Sequence, residues 1–289
     1  MAVLIPEHCE LCPRRCGADR RTQTGRCGAG NTLRAARAAL HRWEEPCISG
    51  EDPERGSGTV FFCGCTLGCV FCQNGVISHG GEGKKITAAR LAEVFLALQA
   101  QGAYNINLIT PTQYLPWILE ALNLCRERLA IPVLYNTGGY ERVEMLRLLE
   151  GRVQIYLPDL KYYDSALSAR YSAAPDYFAE AAQALREMFR QVGPVRFDEN
   201  GMLQGAHKDS LRLLNWLADN FSPEDIRLSL MSQYTPPAGI AIRELQRPIF
   251  TYEYRKACER AEELGFLGYT QQRSSADAAY TPLFDGTGL

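Results

Sequence analysis

The chain has 289 residues, with 31 Lys and Arg against 33 Asp and Glu and a formal net charge of −2. No long run of one sign occurs, which argues against a nucleic-acid surface, and no apolar run approaches the roughly 20 residues that span a bilayer. Eleven cysteines, several of them clustered, in a chain whose first six residues lack the basic start and apolar core of an export signal favour metal ligation in a reducing cytoplasm over disulfides.

The first thirty residues carry Cys9, Cys12, Cys16 and Cys27 in HCELCPRRCGADRRTQTGRCGAG. Pro13, Gly17, Gly25 and Gly28 make this a loop-rich knuckle with little capacity for its own apolar core. Four such ligands can close a site, and either a structural zinc or a second [4Fe-4S] cluster suits them. His8 lies adjacent and reads as solvated. Residues 33–45 read as a short amphipathic helix, followed by a linker rich in Gly, Ser, Pro and charge. Residues 1–50 thus form a cysteine-rich extension and residues 51–289 the main domain.

A β-prone run at residues 59–62 leads into Cys65-x3-Cys69-x2-Cys72 and Gln73-Asn74-Gly75. Three thiolates this close cannot share one helix or strand face, so they converge from a loop. A cubane iron–sulfur cluster takes four cysteine ligands; three leave one iron open for chemistry. A structural zinc site wants four closed ligands. Cys47 and Cys63 read as small apolar residues, although strand alternation would point Cys63 the same way as Cys65. Cys125 and Cys258 read as core thiols.

From residue 59 onward, short strands alternate with helical periodicity. Strands are expected at residues 59–62, 106–110, 132–136, 153–157 and 226–231. Helices are expected at residues 87–101 with Thr87 as N-cap, and at 114–129, 141–150, 176–191, 209–220 and 248–264. This alternation implies βαβ units and a parallel sheet curling toward a barrel. Thr110-Pro111-Thr112, Asn136-Thr137-Gly138-Gly139 and Pro158-Asp159-Leu160-Lys161 each follow a strand. Strand C-terminal ends build the active site of βα barrels, so these groups and the cysteine loop are expected at one face.

Cys65-x3-Cys69-x2-Cys72 with Phe71 before the last cysteine resembles the signature of the radical S-adenosylmethionine (SAM) superfamily. FFCGCTLGCVFCQN, NINLITPTQYLP, YNTGGYE, YLPDLKYYD and LSLMSQYTP together resemble the branch related to pyruvate formate-lyase activating enzymes. The resemblance implies an α/β fold, a partial (βα)6-type barrel, and a [4Fe-4S] cluster on Cys65, Cys69 and Cys72. It further implies SAM bound at the open iron, reductive cleavage to a 5′-deoxyadenosyl radical, and hydrogen abstraction. A flavodoxin- or ferredoxin-type electron donor is implied, with a glycyl radical enzyme such as a pyruvate formate-lyase as substrate; a small molecule or peptide is the competing substrate. Phe71 is implied to pack near the adenine and Gln73 to join the cofactor-binding set. Asn107, Thr110 and Thr112 stand where the family receives the SAM amino group, Asn136 and Thr137 contribute from the next strand, and Lys161 of the Asp159-x-Lys161 element meets the SAM carboxylate. Gly80-Gly81-Glu82 precedes the helix that leads to that strand and reads as a surface loop.

The chain departs from the family after Gly193-Pro194-Val195-Arg196-Phe197-Asp198. There the family has a hairpin and a further barrel strand carrying a His near SAM. Here Gly201-Met202-Leu203-Gln204 runs straight into Gly205-Ala206-His207-Lys208, so a strand is expected to be missing near Gln204 and Gly205. His207, in a polar loop, does not inherit that role. Without the strand, an iron–sulfur protein lacking SAM chemistry is the alternative reading.

Overall fold

The computed structural model describes residues 3–79, 83–198, 202–205, 211–271 and 281–289. Its framework is a six-stranded sheet of β1 (Leu33–His41), β2 (Gly56–Phe62), β3 (Lys84–Ile86), β4 (Ala103–Ile109), β5 (Val133–Thr137) and β6 (Ile155–Pro158), in the order β3-β1-β2-β4-β5-β6. β2, β4, β5 and β6 run parallel, while β1 pairs antiparallel with β2 and with β3. This is the expected α/β fold with a mostly parallel sheet.

The helices follow the strands. α1 (Pro46–Ser49) and α2 (Gly75–Ser78) are single turns. α3 (Ala88–Ala100) starts where Thr87 accepts the Arg90 N–H, an N-cap contributing about 1 kcal/mol. Its buried Leu91, Val94, Phe95 and Leu98 recur every three or four residues and face the sheet. α4 (Leu115–Cys125), α5 (Val143–Arg147), α6 (Ser165–Ser172), α7 (Tyr177–Val192), α8 (Leu211–Asn220) and α9 (Thr251–Glu263) complete the set. Val60, Phe62, Ile106, Leu108, Val133, Tyr135 and Tyr156 form the convex core with α3, α4 and α7.

Strand alternation turns the intervening residues to the concave face. At its floor Cys47 and Ile48 of α1 pack on Leu134 and Ile155, and Ser57 donates to Asn105, whose amide donates to the Ile48 carbonyl. Cys47 is therefore a core residue. Cys63 likewise packs with Ala36, Phe61 and Ile77.

Residues 33–45 are not the expected helix. β1 pairs with β2 at six positions and buries Leu33, Ala35, Ala36 and Ala38. Helix propensities differ by only a few tenths of a kcal/mol per residue among such side chains, and the pairing overrides them. The outer edge of β1 is covered by β3 and by the chain's end, where the Gly286 N–H meets the Ala36 carbonyl and the Ala38 N–H meets that of Thr287. Covering an edge this way blocks pairing with other chains. β3 and α6 escaped the periodicity reading because they are short.

β7 (Arg196–Phe197) and β8 (Leu203–Gly205) form a small antiparallel hairpin, and β9 (Leu228–Leu230) and β10 (Gly268–Thr270) a separate parallel pair. Among the described residues no strand is hydrogen-bonded between β6 and β9; residues 199–201 and 206–210, where a missing strand is expected, lie outside them. His207 and the Gly80-Gly81-Glu82 segment lie outside the described residues.

Candidate functional site

The cysteine loop leaves β2 at its C-terminal end. Cys65, Cys69 and Cys72 stand close enough for their charges to interact. Burial pushes the Cys65 thiol up to about 11 and raises that of Cys72, so these two are neutral thiols unless a metal supplies the compensating charge. The loop already offers what cluster sulfurs need: the Leu67 N–H points at Cys65 Sγ at 3.4 Å, those of Gly68 and Asn74 reach Cys65 and Cys72, and Ser172 donates to Cys69 Sγ at 2.9 Å. Three thiols with amide donors and no fourth cysteine in the loop suit an open cubane by donor chemistry. Among the described residues no three His, Cys, Asp or Glu side chains stand ready-made in ligating geometry.

The loops after β5 and β6 close on this one. Lys161 pairs with Asp159 and is a quarter exposed. Burial works to lower its pKa, but the Asp159 carboxylate outweighs it and holds the ammonium firmly charged. Tyr177 of α7 fixes the turn: its hydroxyl faces the Gly138 and Asp159 carbonyls at 2.9 and 2.8 Å and accepts the Lys161 N–H at 2.9 Å. Gly139 permits the approach, since at φ 76° a Cβ there would lie 2.2 Å from the Asp159 carbonyl oxygen. The Lys161 ammonium thus lies close enough to Cys72 for their charges to interact.

Other expected cofactor residues have partners within the chain. The Thr112 and Thr137 hydroxyls both donate to Glu141 Oε1 and so brace the loops. Glu141 is only 2 % exposed; burial raises its carboxyl pKa to about 7 against the pull of hydrogen bonds from Thr112, Thr137 and Tyr135. Gln73 is engaged by Thr281 at 2.8 Å and ties down the C-terminal segment. Phe71 meets Tyr162, Tyr171 and Tyr234 edge-on at 6.3 to 6.4 Å.

Three expected residues do border the concave face. Asn107 donates to Glu44 at 3.2 Å, while its buried Oδ1 has no hydrogen-bond partner among the described residues. Alternation places the Asn136 side chain on the face shared with Leu134, and its carbonyl accepts the Thr110 N–H at 2.9 Å. Thr110 adopts φ 55°, costly for a β-branched residue by about 1–3 kcal/mol. Gln113 helps to hold it there by donating to the Thr110 carbonyl and to those of Cys63 and Gly64. By charge alone, the orphaned Asn107 acceptor suits an ammonium and the charged Lys161 a carboxylate, the two groups that SAM carries.

Sequence reasoning missed Glu141, Tyr177 and Arg14. Arg14 reaches from the N-terminal knuckle to the carbonyls of Thr66, Leu67, Ser172 and Ala173. Glu141 had a signal, standing right after the Gly-Gly turn of YNTGGYE with two threonines nearby; Arg14 and Tyr177 had none, because their partners are backbone carbonyls. His8 is exposed and lies 3.6 Å from Glu10.

The model of the Radical SAM superfamily matches residues 59–200. An uncharacterized protein of Methanocaldococcus jannaschii is 32 % identical over 187 residues, covering 62 % of this chain and 52 % of that protein. The chain thus spans about half the length of this curated relative. Among solved structures, HydG, a maturase of the [FeFe]-hydrogenase, aligns at 14 % identity and TM-score 0.45, over 71 % of this chain and 53 % of its own. Methylornithine synthase aligns at 14 % and TM-score 0.48, over 78 % and 68 %. Among the described residues no helix is long and apolar enough to cross a membrane.

Proposed function

We propose that this chain, which carries a radical SAM superfamily domain over residues 59–200, is an enzyme that cleaves SAM reductively and abstracts a hydrogen atom. When bound, a [4Fe-4S] cluster would supply the electron that breaks the sulfonium C–S bond of SAM, giving methionine and a 5′-deoxyadenosyl radical. Cys65, Cys69 and Cys72 would hold it, leaving one iron without a protein ligand. The observation that carries the reading is the placement of Lys161, kept charged by Asp159 and facing Cys69 and Cys72. There it would orient the SAM carboxylate, with Asn107 and Asn136 receiving the amino end.

For the hydrogen donor we favour the glycine of a glycyl radical enzyme, with a flavodoxin or ferredoxin as electron source, in the cytoplasm. The Asp159-Leu160-Lys161 element and the other motifs that resemble activating enzymes support this choice. A second reading, an iron–sulfur protein without SAM chemistry, draws on the barrel strand that the sequence is expected to lack after Gln204.

Anaerobic reconstitution, reduction with dithionite and addition of SAM separate the two. The enzyme reading expects 5′-deoxyadenosine; an intact cluster with no such product leaves only the second reading. Cys69→Ala is expected to abolish the visible cluster absorption from the central loop.

A further inference from the structure

The N-terminal knuckle contains a buried cation in search of an anion. Arg20 is 1 % exposed. Its guanidinium donates to the carbonyls of Gly30, at 2.9 and 3.1 Å, and Gln113, at 2.6 Å. It also lies 5.4 Å from the Trp117 ring centre and 6.0 Å from that of Tyr114. Among the described residues it meets no carboxylate. Carbonyls satisfy its N–H groups but not its charge, and an uncompensated buried charge is costly.

Arg20 lines a cavity of about 10 Å³ shared by Cys9, Cys12, Cys16 and Cys27. The thiols of Cys9 and Cys16 are in hydrogen-bond contact, and those of Cys16 and Cys27 both lie within 3.5 Å of one point beside Gly25. One backbone device repeats around them. The N–H of Arg14 reaches Cys12, that of Ala18 reaches Cys16 and that of Ala29 reaches Cys27, each from two residues further along. Amide donors aimed at sulfur are the outer partners that a metal-bound thiolate accepts. Turns closed by Arg15 N–H to the Cys12 carbonyl and Gly28 N–H to that of Gly25 aim these amides.

We infer that Cys9, Cys12, Cys16 and Cys27 bind one zinc ion as a closed tetrathiolate site, with Arg20 as its buried counter-charge. Four thiolates around a divalent ion leave a charge of about −2, which supplies the anion that Arg20 lacks. The cavity that the four cysteines help to line holds about one water-sized sphere, which suits a single ion. The role is structural: the knuckle has little apolar core of its own, yet it carries Arg14 and Cys27 against the cluster loop. This site is independent of SAM chemistry.

The test uses the whole 289-residue chain with Cys65→Ala, Cys69→Ala and Cys72→Ala, which keeps the N-terminal set and removes the cluster ligands. Metal analysis is expected to find about one zinc per chain without iron or acid-labile sulfide. A metal-free folded chain, or iron with sulfide, overturns the assignment. Cobalt(II) in place of zinc is expected to show thiolate charge-transfer bands and the strong d–d absorption of tetrahedral sites; their absence overturns it too. In chelator competition, Arg20→Met is expected to weaken zinc binding about tenfold or more, with Arg20→Lys restoring most of the loss; equal affinities overturn the counter-charge role. Should Arg20→Met not fold, exposed Cys16 offers the second variant: Cys16→Ser must alter the cobalt spectrum, and an unchanged spectrum refutes the ligand set.

Discussion

The backbone N–H of Cys65 donates to the carbonyl of Cys27 at 3.2 Å, joining the N-terminal knuckle to the first ligand of the cluster loop. One such bond contributes about 1 kcal/mol, so its importance is positional. Gly64 makes the contact possible: its φ is 80°, and a Cβ there would sit 2.2 Å from the Cys27 carbonyl oxygen. Gly64→Ala must push the two loops apart and adopt a left-handed backbone, for a combined loss of about 2–4 kcal/mol. The expected result is a lower thermal midpoint and a lower iron content per chain after reconstitution. Iron content equal to the wild type in a variant that folds would show that the contact does not position the loop.

Arg14 offers a second handle on the same junction. Its guanidinium fork spans carbonyls on both the cluster loop and the end of α6, a geometry that one ammonium cannot reproduce. Arg14→Lys is therefore expected to behave like Arg14→Met, each costing about 2–3 kcal/mol in chemical denaturation. Full recovery of stability by lysine would count against the fork.

Glu141 sets a pH dependence. The folded carboxyl holds its proton up to about pH 7, chiefly because it is buried, while the ordinary carboxyl value is 4.5. Over that window the folded state binds more protons than the unfolded chain, so this group's stabilisation is full below 4.5 and is lost as pH rises through 7. The interval corresponds to about 3 kcal/mol. Glu141→Gln keeps an acceptor for Thr112 and Thr137 and removes the titration. Thermal midpoints from pH 5 to 8 are expected to fall less steeply in the variant; parallel curves would reject the raised carboxyl.

Lys161→Met is expected to leave the fold and cluster intact and to weaken SAM binding about 10- to 100-fold, the worth of a hydrogen bond between charged groups. Equilibrium dialysis of SAM against cluster-loaded protein reads this directly. Unchanged affinity would leave Lys161 as no more than the ion-pair partner of Asp159.

Much of the framework was legible because it rests on local patterning. Thr87 as a cap, the periodic apolar residues of α3 and the short strands β4 and β5 fall close to where the sequence puts them. Their placement depends on spacings of two, three and four residues that survive in any context. β1 was illegible for the converse reason. An Ala- and Arg-rich stretch suits a helix by itself, and only pairing with β2, β3 and the chain's end makes it a strand.

The sequence by itself determined the donor set, since three cysteines at x3 and x2 spacing must converge from one loop, and four in the knuckle can close a site. The lack of a strand-sized apolar run after Gln204 raised the expectation of a missing strand there, on a stretch that lies partly outside the described residues. What only the tertiary structure decided is which polar side chains are tied to one another in the scaffold. Thr112 and Thr137 carry the same hydroxyl whether they meet a cofactor or Glu141. Lys161 is charged in any sequence, but it faces Cys69 and Cys72 only because Tyr177, sixteen residues on, pins its backbone. Arg20 became informative only once folding buried it beside four thiols, for desolvation depends on everything packed around a charge and leaves no pattern in the chain.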